Sequence, residues 1–146
     1  FAGKEELQLA TVDAATRVFV DLVITPVLSE ERGVPRLLAL VDRWIDYVDA
    51  DTFPGGCFMA GVLPEYDSRP GPIRDALIAS RGLWMDLLTR EAAYAIDSGD
   101  LRGLVAEDVA FEIDALLAAA NLARNLSGDP GSVEAARRIA RARLAG

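Results

Sequence analysis

Histidine is missing from this chain of 146 residues, and cysteine occurs once, as Cys57. Without histidine, Ser-His-Asp and Cys-His catalytic arrangements are excluded, and the commonest general base is not available. One cysteine cannot form an internal disulfide, which fits a reducing compartment, and it cannot by itself supply the usual Cys and His ligands of a zinc site. The sequence therefore predicts no catalytic residue, no metal and no cofactor.

Acidic residues outnumber basic ones, 23 to 15, and glycine-rich phosphate loops are absent from the sequence. The chain contains neither GxxxxGK[ST] nor GxGxxG, and its net charge is −8. Because the electrostatic field of a negatively charged chain repels phosphate backbones, the chain by itself is not expected to bind DNA or RNA. Its longest apolar stretches, 18–28 and 115–123, fall short of the ~20 residues that span a membrane. We expect a cytoplasmic protein with no membrane contact.

What the chain has in excess is apolar character. Apolar residues make up 51% of the sequence, and the mean hydropathy of +0.20 is high for a soluble monomer of this size. A chain of this length is most simply one domain with a core of its own. We expect the surplus apolar area to be buried against a partner.

Helical periodicity runs through nearly the whole sequence, whereas no stretch makes a convincing strand. The pattern predicts six helices separated by glycine and proline, with Pro64 ending the short third helix. Their expected ranges are 4–25, 35–48, 57–65, 72–98, 105–126 and 132–145. The predicted fold class is therefore all-α.

The predicted fifth helix is apolar nearly all round, so it needs a partner on each side. We assign one face to the chain's own core and the other to a second subunit. The interface expected from this helix and the last one consists of Asp114, Leu117, Ala118, Asn121, Asn125, Val133, Ala136, Arg137, Ala140 and Leu144.

The stretch 53–76, FPGGCFMAGVLPEYDSRPGPIRDA, holds four of the twelve glycines, four of the seven prolines and the single cysteine. Gly55 and Gly56 allow a sharp turn before the short third helix. Pro72 suits the first turn of the helix that follows. A short helix between two breakers therefore leads into a long one.

This stretch, with G-G-C-F followed by R-P-G-P-I-R-D, resembles the ligand-binding domain of TetR-type transcriptional repressors. The F-A-G-K-E-E-L start resembles the segment after the recognition helix of that family, and F-E-I-D-A-L-L-A-A-A-N-L-A-R resembles its tail. The resemblance implies a single six-helix domain over 1–146, whose last two helices form a four-helix bundle in a homodimer. It also implies that 1–25 would join a DNA-binding head missing from this chain.

The same resemblance implies the function. The chain would be the small-molecule sensing domain of a bacterial repressor, with operator DNA contacted only through the missing head. A mostly apolar effector would bind among the helices and alter DNA affinity. The expected pocket residues are Phe19, Val23, Trp44, Val48, Cys57, Phe58, Trp84, Leu87, Glu91 and Leu116.

Each of these assignments has a simpler alternative. The four inward-facing aromatic residues can be plain core packing, and Cys57 can be a buried, inert thiol because no basic residue nearby lowers its pKa. Glu91 can pair with an arginine of another helix. For the whole chain, the alternatives are a helical protein-interaction module without a small-molecule pocket and an enzyme that uses only carboxylates. A ligand-sized cavity distinguishes the sensor from the interaction module.

Overall fold

A computed structural model describes residues 2–146 and contains, within that range, six α-helices and no strand. The all-α prediction is confirmed, and every helix lies where the sequence placed it, with differences at the ends. The helices are α1 (Lys4–Phe19), α2 (Val34–Asp49), α3 (Phe58–Tyr66), α4 (Pro72–Asp97), α5 (Ala106–Ser127) and α6 (Gly131–Leu144). None of them has the length and apolar character needed to cross a membrane.

The first helix does not continue regularly to residue 25 as predicted. After α1, the backbone widens into a π-helical turn over Val20–Ile24 and then tightens into a 3-10 turn over Thr25–Val27. The cause is Pro26, which lacks an N–H donor and whose ring would clash with a carbonyl four residues earlier in a regular helix. The irregular turn follows directly on Phe19.

Pro64 lies inside α3 and does not end it, so that expectation was wrong. The helix continues to Tyr66, where the phenol oxygen accepts a hydrogen bond of 3.0 Å from Gln8 Nε2 of α1. Pro64 stands in the last turn of a nine-residue helix, so the missing N–H removes only one intrahelical bond.

The main core is built around α2, which packs against α4, α5, α6 and the turns after α1. Its side chains Leu37, Leu40, Ile45 and Val48 are fully buried. Burying each of them contributes about 1.5–3 kcal/mol. A smaller cluster of Val12, Ile73 and Leu77 joins α1 to α4 beside α3.

The structure places much of the predicted dimer interface inside the protomer. The core face of α5 and α6 includes six of those ten residues, none of them more than 3% exposed: Leu117, Asn121, Val133, Ala136, Ala140 and Leu144. A side chain already covered within its own chain has no surface to offer a second copy. Arg137 likewise pairs with Asp42 of α2 in the same chain. These side chains therefore face the chain's own core, and the exposed faces of α5 and α6 are the opposite ones.

Candidate ligand-binding site

A partly enclosed cavity of about 90 Å³ lies where α1, α3, α4, α5 and the C-terminal half of α2 meet. Four of the ten expected pocket residues line it: Phe19, Trp44, Cys57 and Trp84. The rest of the wall comes from Met59, Ala60, Leu63, Ser80, Arg81, Asp114, Leu117 and Ala118.

Aromatic rings form the rigid part of this wall. Phe19 meets the Trp84 ring edge to face, with a centroid distance of 5.4 Å, and meets Tyr47 in the same way at 5.5 Å. Such pairs contribute about 0.5–1.5 kcal/mol beyond the area that they bury. Both tryptophans of the chain, Trp44 and Trp84, border the cavity. Tryptophan fluorescence will therefore report on what enters it.

One polar cluster interrupts the apolar wall. Arg81 and Trp84 are three residues apart on α4, so they share a helix face. Arg81 Nη2 donates to Asp114 Oδ2 of α5 at 2.6 Å, and Trp84 Nε1 donates to Asp114 Oδ1 at 3.1 Å. Asp114, expected at the dimer interface, therefore borders the cavity.

The two asparagines of the predicted interface hold the loop before α3. Asn121 Oδ1 accepts a hydrogen bond from Cys57 N at 3.0 Å, and Asn125 Nδ2 donates to the Gly55 carbonyl at 2.7 Å. Gly56 has φ +80°, and a Cβ there would lie 2.4 Å from Asn121 Oδ1. Only glycine fits this close approach. The G-G-C segment thus fixes α3, and with it one side of the cavity, to α5.

Cys57 lines the cavity, and the buried Tyr47 lies beside Phe19 in the core. Burial raises the pKa of the Cys57 thiol and raises the pKa of Tyr47 well above its usual range. The Tyr47 hydroxyl accepts a hydrogen bond of 3.2 Å from Phe58 N. Because the thiolate is the reactive form, a neutral buried thiol is chemically inert. The cavity wall is apolar here.

Comparison with known proteins decides the family. The sequence matches the family described as "Tetracyclin repressor-like, C-terminal domain" over residues 33–140. This chain belongs to that family. The resemblance noted in the sequence is thereby confirmed. A search of the curated proteins finds no match.

Two solved structures share the TetR-like fold. One is a TetR transcriptional regulator from Chloroflexus aurantiacus J-10-FL, with a TM-score of 0.89, 20% identity, and coverage of 99% of this chain and 73% of the other. The second is AibR in complex with isovaleryl coenzyme A and operator DNA, with a TM-score of 0.75, 19% identity, and coverage of 97% and 75%. At these identities the likeness shows the fold.

Six expected pocket residues of this TetR-like domain do not border the cavity. Val23, Val48 and Leu87 lie in the main core, against which Leu116 packs. Phe58 packs instead against Phe53 and the smaller cluster. Helical periodicity identifies inward-facing positions, but it does not tell which of them borders an empty space.

Glu91 is the sixth, and it lies at another site. Its carboxylate accepts hydrogen bonds from Gly33 N at 2.9 Å, from Arg32 Nε at 3.2 Å and from Arg36 Nη1 at 3.2 Å. Arg36 also donates to the carbonyls of Leu28 and Glu30. Glu91 therefore joins α4 to the loop before α2 and to the start of α2. Of the two interpretations of Glu91, the structure shows the pairing with arginine and not a place in the pocket.

The sequence alone did not identify Arg81, Ser80 or the wall residues of α3, which are Met59, Ala60 and Leu63. One signal for Arg81 was available, since it stands one turn before Trp84 on α4. The Ser80 hydroxyl lies 2.8 Å from that of Thr16, and nothing in the sequence indicated this pair. The cavity is therefore less purely apolar than predicted.

Proposed function

We propose that this domain senses a small, mostly apolar effector for a bacterial, cytoplasmic transcriptional repressor. The observation that carries the proposal is the partly enclosed cavity, where Phe19, Trp44 and Trp84 lie beside the Arg81–Asp114 pair. Ligand sites are mostly apolar in this way, with a few polar groups that fix orientation. Operator DNA would be contacted by an N-terminal head, because this chain carries a net charge of −8.

The size of the cavity limits the group that enters it. Its 90 Å³ is several times the ~10–15 Å³ that one water needs, but lies below the ~300–1,000 Å³ of drug-sized sites. A short or branched hydrocarbon group suits this space. AibR was crystallised with isovaleryl coenzyme A, which supports a small acyl group as the part of the effector that enters the cavity.

A conformational change caused by effector binding can be transmitted to the DNA-binding head through α1. Phe19 ends α1, touches the cavity and precedes the irregular turn of Val20–Ile24. A ligand that displaces the Phe19 ring favours a different position of α1, the helix that would lead to the head. The shift can be no larger than the ligand's difference in affinity between the two states allows.

Dimerisation belongs to the outer faces of α5 and α6 and not to the residues first chosen. The exposed apolar side chains there include Phe111 and Leu122, at 66% and 61% exposure, and Leu126 and Ile139. On α5 they follow helical spacing with Ala115 and Ala119 between them, so they form one continuous stripe. A second copy of this chain, packed by the same faces, would cover it as a four-helix bundle.

Native mass spectrometry of the purified chain tests both parts. The expected result is a mass of twice 15.7 kDa, together with a few hundred daltons that are lost under denaturing conditions. A dimer without bound ligand, whose tryptophan fluorescence is not quenched by any apolar acyl probe, would contradict the sensor function. A monomer would contradict dimerisation and favour the protein-interaction module.

The proposed dimer face can be tested by one substitution and a matched control. Leu122→Glu on α5 is expected to give a monomer in sedimentation velocity, because it places a charge in the apolar stripe. Leu83→Glu on α4 replaces another exposed leucine outside the proposed face and should leave the dimer intact. If the two variants behave alike, the face is assigned wrongly.

A further inference from the structure

We propose that the effector is an anionic amphiphile whose apolar end fills the cavity and whose anionic head lies outside it, between Arg74 and Arg81. Arg81 would be the gate between the two spaces. This inference rests on the proposed function and specifies the ligand class of the same site. The shared chemistry is a short hydrocarbon with an anionic head, which is either a free carboxylate or the phosphates of a carrier to which the hydrocarbon is joined as an acyl thioester.

The cavity has a larger neighbour on the surface. An open groove of about 330 Å³ runs between α3 and α4. It shares Leu63 and Arg81 with the cavity as a common wall. Together the two spaces come within the range of ordinary ligand sites. A molecule larger than the cavity can therefore be held if it extends past these two side chains.

Arg81 is suited to move because its partner would remain hydrogen-bonded. Its side chain is 40% exposed and bonds to Asp114, which also accepts the indole N–H of Trp84. When the guanidinium turns outward, Asp114 keeps the Trp84 donor. An incoming oxyanion can then replace Asp114 as the partner of Arg81. The charge-assisted bond is exchanged and not simply lost.

Two arginines line the groove. Arg74 and Arg81 are two helical turns apart on α4, about 10 Å along the axis, and so lie on one side of it. Within residues 2–146, Arg74 makes a single hydrogen bond, from Nε to the Asp67 carbonyl at 3.0 Å. Its two terminal nitrogens remain able to donate. The Asp67 side chain, which also lines the groove, accepts a bond from Ser68 Oγ at 2.9 Å.

The free hydrogen-bond donors favour an anionic head over a cationic one. In the cavity wall, the charge of Asp114 is already balanced by Arg81, so no net negative charge awaits a cation. In the groove, Arg74 lies beside Asp67, so with the Arg81–Asp114 pair the four charges balance, and the preference for an anion comes from the guanidinium N–H groups that Arg74 leaves free to donate. A bidentate carboxylate or phosphate contact to a guanidinium is the strong interaction available here.

The test compares three probes that differ only in the head group: hexanoate, 1-hexanol and hexylammonium. Binding is followed by the fluorescence of Trp44 and Trp84, with hexanoyl-coenzyme A as a fourth probe that separates a carrier-bound acyl group from a free carboxylate. We expect hexanoate or its thioester to bind about tenfold or more tightly than hexanol. Hexylammonium should bind most weakly.

The variants Arg81→Met and Arg74→Gln are each expected to remove that preference for the anion while hexanol binding stays unchanged or improves. Arg90→Met is the control, since Arg90 is an exposed arginine of α4 that borders neither space. Circular dichroism confirms folding, and Arg74→Gln keeps the test valid if Arg81→Met is unfolded.

The possible failures are distinguishable. Equal affinity for all three head groups, or an unchanged preference in both variants, overturns the anionic head but leaves the apolar sensor. Tighter binding of hexylammonium overturns it in favour of a cation held by Asp114 and the aromatic rings. If none of the probes binds, the proposed function is overturned as well.

Discussion

Two carboxylates of this domain, Glu91 and Asp114, are each paired with arginine, yet their surroundings differ. The Glu91 side chain is 3% exposed and accepts from three donors in the segment 32–36. The Asp114 side chain is 24% exposed, accepts from two donors of one helix and borders a cavity. A carboxylate enclosed by donors acts as a joint between elements. One beside an empty space can exchange partners.

The largest effect is expected from Glu91→Gln. The change leaves Arg36, whose side chain is 14% exposed, without its counter-charge, and breaking a buried pair in this way costs about 3–5 kcal/mol. Urea unfolding should show this loss, while probe affinity at the folded site stays the same. Glu31→Gln, at an exposed glutamate of the same loop, is the control. A loss of affinity without a loss of stability would reverse the two roles.

A smaller effect is expected from Trp84→Phe, which keeps an aromatic ring beside Phe19 but removes the donor to Asp114. A hydrogen bond to a charged group contributes about 1.5–3 kcal/mol. We expect a loss of stability in that range in urea unfolding, together with weaker binding of all three hexyl probes. If affinity is unchanged, Trp84 is core packing only.

Asp114→Asn is expected to separate stability from binding. The Arg81–Asp114 pair is partly exposed, so its loss should cost no more than about 1 kcal/mol. Because Arg81 no longer has a competing carboxylate, hexanoate should bind more tightly and hexanol equally well. Isothermal titration calorimetry measures both affinities. Weaker hexanoate binding would show that Asp114 orients Arg81 and does not compete for it.

The smallest effect concerns Cys57, the uncharged counterpart of the two carboxylates. Its pKa is raised by burial, so the unfolded chain releases this proton first, at about pH 8.5. Stability is fully present below that pH and falls above it. The fall from this group should be ~0.7 kcal/mol between pH 8 and pH 9. The fall should be smaller by that amount in Cys57→Ala; an identical slope in both proteins would contradict a raised pKa.

Most of the fold could be predicted because it depends on local signals. Proline and glycine mark the helix ends, and apolar spacing marks the buried faces. The irregular turn after Phe19 could not be predicted in detail, because a proline determines where a helix is disturbed but not how the backbone adapts.

The site was predicted less well, since it depends on how neighbouring helices fit. Val48 and Trp44 both lie on the inward face of α2, yet only Trp44 reaches the cavity. On α5, two faces were recognised, but Leu117, which was assigned to the interface, is 2% exposed and belongs to the core, whereas Leu122, for which no role was predicted, is 61% exposed. The face of α5 that meets the core is determined by how α5 packs against α2 and α6. The periodicity of α5 does not predict that packing.

The asparagines of α5 have a consequence for the proposed dimer. Asn121 and Asn125 hold the cavity loop, while the next residues along, Leu122 and Leu126, belong to the stripe offered to the second copy. A helix with its side chains is only about 10–12 Å across. In the dimer, each loop would thus lie about one helix diameter from the partner subunit. A shift of α5 on ligand binding in one subunit would then be passed to α5 of the other. Effector titrations would then show a Hill coefficient different from one.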